Sequence, residues 1–327
     1  MDMKTIYRIL VLFGLLAVGT ACSEDSLSPE YEYNGPIPAI ADGPSEAQKI
    51  CYELYQKYDH HVYYTLSGDE ALRTNLGETQ VNGFWYLPES IFPLEAADEA
   101  TSEVFLKLLR SFYGALPVET VKTSVIKRQV LVKANLWNDE LLNYYGFWIP
   151  EVYSIACTME AQQGIVYWGE MDDMIGPQPD VWKYSICLSF FSTRTTPYFV
   201  LDVPVPTEFS QVSKGMYLGE LPESEQFDAM MAVMDWETGE VDMDYLMKKG
   251  FIHPYPFMMA TTEMYQQEDL ATYATWIACH PLSERQEVLD TYPLVKKKYE
   301  LTLEFYKKYL KVDLEEFCKF WTNVTVE

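Results

Sequence analysis

Four histidines, His60, His61, His253 and His280, carry all the imidazole chemistry open to this 327-residue chain. A helical zinc site needs two of them one turn apart, with a glutamate beside the first. Both rings then face one ion and the carboxylate serves as base. No pair here has that spacing. His60 and His61 are adjacent, and on a strand they point to opposite faces, so they read as surface or strand-end residues.

Other chemistries fare no better. The acidic run Asp235-Trp236-Glu237-Thr238-Gly239-Glu240-Val241-Asp242-Met243-Asp244 invites a calcium reading. An EF-hand loop wants glycine sixth and glutamate twelfth, whereas here glycine is fifth and Leu246 twelfth. It reads as a solvated acidic turn, as does Asp172-Asp173 ahead of Gly176-Pro177. No G-x-S-x-G, phosphate loop or dinucleotide fingerprint occurs in the chain, and Cys279-His280 is adjacent only in sequence. Phe, Trp and Tyr make up 15% of the residues, with 25 tyrosines. Packing uses most of them, and the remainder suit stacking platforms for sugars or peptide side chains.

The elements that must position these residues follow from periodicity. Ser45 and Gln48 have capping-box spacing ahead of Ala47, Ile50, Cys51, Leu54, Tyr55 and Tyr58, one apolar helical stripe. A strand is expected over 61–66 and a second helix over 97–116. The β-rich middle predicts strands over 124–136, 149–157, 164–168 and 182–191. Helix returns over 268–279 and 292–310, the latter with Lys296, Lys297, Lys298, Lys307 and Lys308 mostly on a solvated face. Asp313 caps a last short helix through Phe317, Cys318 and Trp321. Helices segregated from strands in this order predict an α+β class, helix-rich with a central mixed or antiparallel sheet.

Upstream of this body, Lys4 and Arg8 precede an apolar run over 9–18, too short to span a bilayer and suited to an export signal. Val18-Gly19-Thr20-Ala21-Cys22 resembles a lipobox, which makes residues 1–21 a lipoprotein signal peptide and Cys22 the lipidation site. Two or three acyl chains anchor far more firmly than one. Ser23-Glu24-Asp25-Ser26 resembles the acidic tag of lipoproteins held on the outer face of the outer membrane. Residues 22–44 form an acidic, Pro-rich tether, and residues 45–327 are expected to fold as a single globular domain. A net charge of −25 makes nucleic acid a poor partner. With Cys22 lipidated, Cys51, Cys157, Cys187, Cys279 and Cys318 remain, an odd set without C-x-x-C spacing. They read as mostly buried, though export permits one or two bonds.

Three stretches carry a family resemblance: Val203-Pro204-Val205-Pro206-Thr207-Glu208-Phe209-Ser210-Gln211-Val212-Ser213, Lys249-Gly250-Phe251-Ile252-His253-Pro254-Tyr255, and Gln267-Glu268-Asp269-Leu270-Ala271-Thr272-Tyr273. With support from 52–64 and 296–314, the chain resembles the zinc-binding metallopeptidase lipoproteins of Gram-negative anaerobes. The resemblance implies a zincin-like fold and a binding region at Pro206, Thr207, Glu208, Phe209 and Tyr255. In that family an H-E-x-x-H helix immediately precedes P-x-P-T-x-F. Here Phe191-Ser192-Thr193-Arg194-Thr195-Thr196-Pro197-Tyr198 stands in its place, without histidine or glutamate, and Pro197 costs a helix interior about 3 kcal/mol. Residues 185–191 and 198–203 read instead as two strands around a polar turn. The family's later motif carries a further acid after E-D-F-x, where this chain has Thr272.

These observations predict a degenerate, non-catalytic member that binds an extracellular polypeptide, a glycan or an outer-membrane partner, with no metal and no cofactor. A second reading is an active zinc peptidase drawing ligands from His253 with Glu268 or Asp269. A third is a structural subunit of an envelope complex.

Overall fold

The capping box forms as spaced. In the computed structural model, the Ser45 hydroxyl accepts from the Gln48 amide at 3.2 Å, and Gln48 Oε1 accepts from the Ser45 amide at 3.3 Å. Helix α1 (Glu46–Tyr58) then buries Ala47, Ile50, Cys51, Leu54 and Tyr58. It stops at Asp59, which adopts a left-handed φ of 61° that Asp tolerates better than most residues. The Asp59 carboxylate accepts from Lys127 at 2.6 Å, so the helix end is tied to the start of a strand.

The structure describes residues 39–66, 95–125, 127–133, 154–157, 165–169, 171–174, 176–191, 205–233, 241–258 and 262–326. The signal segment, Cys22, most of the tether, the Thr193–Pro197 turn and the first part of the acidic run, 235–240, lie outside them. Residues 35–327 form one compact unit.

Strand β1 (His61–Tyr63) is followed by helices α2 (Glu99–Gly114) and α3 (Val118–Ser124), then by β2 (Arg128–Leu131), β3 (Ser154–Cys157) and β4 (Ile165–Trp168). The sheet order is β1-β2-β4-β3. β1 pairs parallel to β2 with Val62 opposite Gln129, and β2 parallel to β4 with Gln129 opposite Val166. Antiparallel pairing occurs where β3 joins β4. The sheet is therefore mixed; helices lie between β1 and β2, supplying the crossover that this parallel pair needs. Ser124, expected in a strand, ends α3 instead.

Gln129 is the buried polar centre of the sheet. Its amide donates to the Tyr113 hydroxyl at 2.7 Å and accepts from Trp168 Nε1 at 2.9 Å, locking α2 to β2 and β4.

Helix α4 (Pro179–Phe191) corrects the strand expected over 182–191. Trp182, Ser185, Ile186, Cys187, Ser189, Phe190 and Phe191 are all buried, so the helix is covered around most of its circumference. An element buried on every side loses the 3.6-residue alternation, and its apolar run then looks like a core strand. Phe112 of α2 sets its ring edge-on to Phe190 of α4 at 5.2 Å.

The remaining helices are α5 (Thr207–Val212), α6 (Glu223–Val233), α7 (Met243–Lys248), α8 (Pro254–Met258), α9 (Thr262–Cys279), α10 (Leu282–Thr291), α11 (Pro293–Tyr309) and α12 (Leu314–Trp321). Asp313 caps α12 as expected, accepting from the Glu316 amide. Phe317 and Trp321 of α12 also meet Phe112, each at 5.2 Å. α9 packs against α4, α11 and α12, placing it at the centre of the helical layer.

Candidate functional site

Thr272 and Trp276 of α9 and His280, just past its end with its amide still bonded to the Trp276 carbonyl, recur at four-residue spacing and so share one face. That face looks onto the first turns of α4, where Asp180 and Val181 stand one turn before Tyr184. With Ile252 and His253 from the segment between α7 and α8, these residues enclose an open cavity of about 350 Å³. Its wall therefore joins the Tyr184 and Trp276 rings, the hydroxyls of Tyr184 and Thr272, one carboxylate and two imidazoles.

Backbone geometry places His253. Gly250 holds φ at 82°, and a Cβ there would stand 2.9 Å from Ser213 Oγ and 3.1 Å from Leu294 Cβ. Two hydrogen bonds fix the turn: Ser213 Oγ to the Lys249 carbonyl at 2.7 Å, and the Tyr273 hydroxyl to the Gly250 carbonyl at 3.0 Å. The following residues then reach the cavity. Part of the His253 residue is exposed, but its ring is buried, and desolvation lowers its pKa to about 4. It is neutral at physiological pH.

Trp276 is set from behind by Arg285. The guanidinium lies 5.9 Å from the Trp276 ring centroid and 5.4 Å from that of Tyr299. Arg285 is fully buried and grips Glu315 with two bonds of 2.9 Å each, while its Nε donates to the His280 carbonyl at 2.7 Å. Burial pushes the Glu315 carboxyl upward, but hydrogen bonds from Arg285 and Tyr299 outweigh it, leaving it below the usual range. His280 Nδ1 lies 3.4 Å from Glu284 at the cavity rim.

The sequence-predicted residues do not all gather here. Asp269 turns away from the cavity. Its Oδ2 accepts from Lys298 Nζ at 2.5 Å and from the Tyr217 hydroxyl at 2.7 Å. The Lys298 ammonium lies 4.4 Å from the Phe251 ring centroid, 5.1 Å from Phe209, 5.4 Å from Tyr217 and 5.9 Å from Tyr273. Lys298, expected among solvated lysines, is thus fully buried. Burial raises the Asp269 carboxyl and lowers the Lys298 ammonium, and each charge partly reverses the other's shift.

Glu268 is buried one turn before Thr272. Among the described residues, no three His, Cys, Asp or Glu side chains converge in a metal-binding arrangement. Pro206 is the N-cap of α5, Phe209 is buried beside Lys298, and Thr207 and Glu208 are exposed on α5. None of these four lines the cavity. Tyr255 falls within α8. Sequence reasoning missed Asp180, Tyr184 and Trp276; the 272/276/280 spacing on an expected helix was the available signal.

No family model matches the chain, and no curated protein matches it significantly. Among solved structures, it is similar to the crystal structure of a "putative zinc-binding metallo-peptidase" from Bacteroides caccae. The TM-score is 0.50 at 14% sequence identity, covering 86% of this chain and 94% of that one. The likeness shows a metallopeptidase-like fold.

Proposed function

We propose that the chain is a lipid-anchored outer-membrane protein, facing outward, whose zincin-like scaffold holds a binding cavity in place of a hydrolytic centre. Its ligand is a segment of extracellular polypeptide or glycan. The observation that carries the reading is the position of Thr272. In the resembling family a further acid stands at that place; here a hydroxyl does, and it lines the cavity opposite Tyr184. The cavity lies between α9, whose stretch through Thr272 resembles the family's later motif, and α4, the described helix that precedes the P-x-P-T-x-F segment. Aromatic faces with a few fixed polar groups suit a pyranose ring or a peptide side chain, which needs stacking and directional hydrogen bonds together.

Asp269 supports the same reading, because its carboxylate is committed to Lys298 and Tyr217. The experiment is a screen of purified protein against glycan and peptide arrays, followed by calorimetry. Saturable binding that Trp276→Ala abolishes is expected; binding that survives this change would refute the cavity as the site.

One observation favours an active zinc peptidase instead. His253 is held neutral at the cavity wall, and an imidazole must be neutral to ligate a metal. Stoichiometric zinc in purified protein, lost in His253→Ala together with peptide cleavage, would establish that reading over the first.

A further inference from the structure

The polar groups around the cavity differ in what they can still offer a ligand. The Thr272 hydroxyl donates its one hydrogen to the Asp269 carbonyl at 2.8 Å, so only its lone pairs remain. An ionised carboxylate accepts and never donates, so the hydrogen between His280 Nδ1 and Glu284, 3.4 Å apart, sits on the ring. In the neutral imidazole that leaves Nε2 an acceptor. Asp180 is exposed, and among the described residues it has no ion-pair partner. Tyr184 and Trp276 add ring faces, which carry negative potential.

No positive charge in the wall balances these groups. Among the described residues, no lysine or arginine lines the cavity. Arg285, beside Trp276, is already matched to Glu315 by two bonds of 2.9 Å. His253 is neutral at physiological pH. The chain as a whole carries a net charge of −25, which adds a long-range attraction for cations.

We propose that the cavity takes the cationic side chain of a polypeptide, arginine above lysine, with Asp180 as counter-ion and Trp276 and Tyr184 as stacking faces. This ligand class rests on the cavity being the binding site, and narrows polypeptide or glycan to a basic peptide. A neutral sugar would leave the Asp180 charge unmatched. A guanidinium has five donors and no acceptor, and its plane stacks on an indole as a compact ammonium does not. The cavity's volume of about 350 Å³ lies at the small end of ligand pockets, roughly 300–1,000 Å³, which suits one side chain.

The test is calorimetry of purified protein with capped peptides of one sequence whose central residue is arginine, lysine, citrulline or glutamate, and with a neutral oligosaccharide. Citrulline keeps the shape of arginine and removes its charge. The arginine peptide should bind saturably, the citrulline peptide about tenfold more weakly, the lysine peptide between the two, and the glutamate peptide not measurably. Asp180→Asn should weaken the arginine peptide about threefold to fivefold and leave the citrulline peptide unchanged. Asp173→Asn removes an exposed acid outside the cavity wall, so it reports the general field and should change neither measurably. Equal binding of arginine and citrulline peptides, an Asp180→Asn loss no greater than that of Asp173→Asn, or no arginine-peptide binding would overturn the proposal. An oligosaccharide that binds instead, and is lost in Trp276→Ala, would overturn it while leaving the cavity as the site. Arginine-peptide binding that survives Trp276→Ala would overturn both.

Discussion

Lys298 Nζ meets Asp269 Oδ2 at 2.5 Å inside a chamber walled by Phe209, Tyr217, Phe251 and Tyr273. The pair links α11 to α9, and the rings come from α5, the segment after it, the segment between α7 and α8, and α9 itself. All three stretches that resemble the peptidase family therefore converge on Lys298 of α11. The negative faces of the rings favour the ammonium, and the carboxylate neutralises it, so the charge is tolerated away from water.

Breaking that pair from one side leaves its partner buried and uncompensated. Lys298→Met should destabilise the fold by about 3–5 kcal/mol, and Asp269→Leu by a similar amount. The double variant should recover much of the loss, because two apolar side chains of suitable volume need no solvation. Urea unfolding of the four proteins checks this. Additive losses would show that the two residues act separately.

Acid should weaken the fold early. Burial, the leading cause, lowers His60 to about 3 and His253 to about 4 from an ordinary 6.5. Between those values and 6.5 the unfolded chain binds protons that the folded chain refuses. Stability from these residues is thus fully present above 6.5 and is lost as pH falls through that window. Each contributes a slope of about 1.4 kcal/mol per pH unit. Denaturant unfolding from pH 7 to pH 5, above most carboxylate titrations, should show a declining midpoint. His60→Leu should flatten the decline; an unchanged slope in that variant would count against His60 as a source.

Much of the helical frame was legible because its signals are local. The Ser45/Gln48 box, the Asp313 cap and the α1, α2 and α11 stripes all appear at the expected places, with ends shifted by a few residues. α4 was not legible, because burial on most of its faces erased its period. Pro179 and Asp180 at its start were a usable signal, since proline suits a helix's first turn and acids favour its N-terminal end. The cavity was harder still. Thr272, Trp276 and His280 could be placed on one helix face, but that this face meets Asp180, Tyr184 and His253 is a tertiary fact. Lys298 shows the reverse failure: its neighbours Lys296 and Lys297 are outward, and nothing local distinguishes the lysine that turns inward to Asp269.

Gly250 should resist replacement. At φ of 82° any L side chain is strained, and a Cβ would crowd Ser213 Oγ and Leu294. Gly250→Ala should cost about 1–3 kcal/mol and move Ile252 and His253 at the cavity wall. Ligand affinity and urea midpoint should therefore fall together. Gly176 also has positive φ but open space around its Cβ position, so Gly176→Ala is the matched control and should leave affinity unchanged.

Arg285 should govern Trp276 without touching ligand. Its guanidinium needs a planar fork to hold both Glu315 oxygens and the His280 carbonyl while stacking behind the indole, and lysine supplies one point charge. Arg285→Lys should lower stability by about 1–3 kcal/mol and weaken ligand binding severalfold, although the charge is kept. The distinguishing readout is Trp276 itself. Its fluorescence quenching by ligand, isolated by comparison with Trp276→Phe, should diminish in Arg285→Lys under conditions where circular dichroism shows the fold intact. Full quenching and unchanged affinity in that variant would reduce Arg285 to a helix-packing residue and leave the orientation of Trp276 to α9 alone.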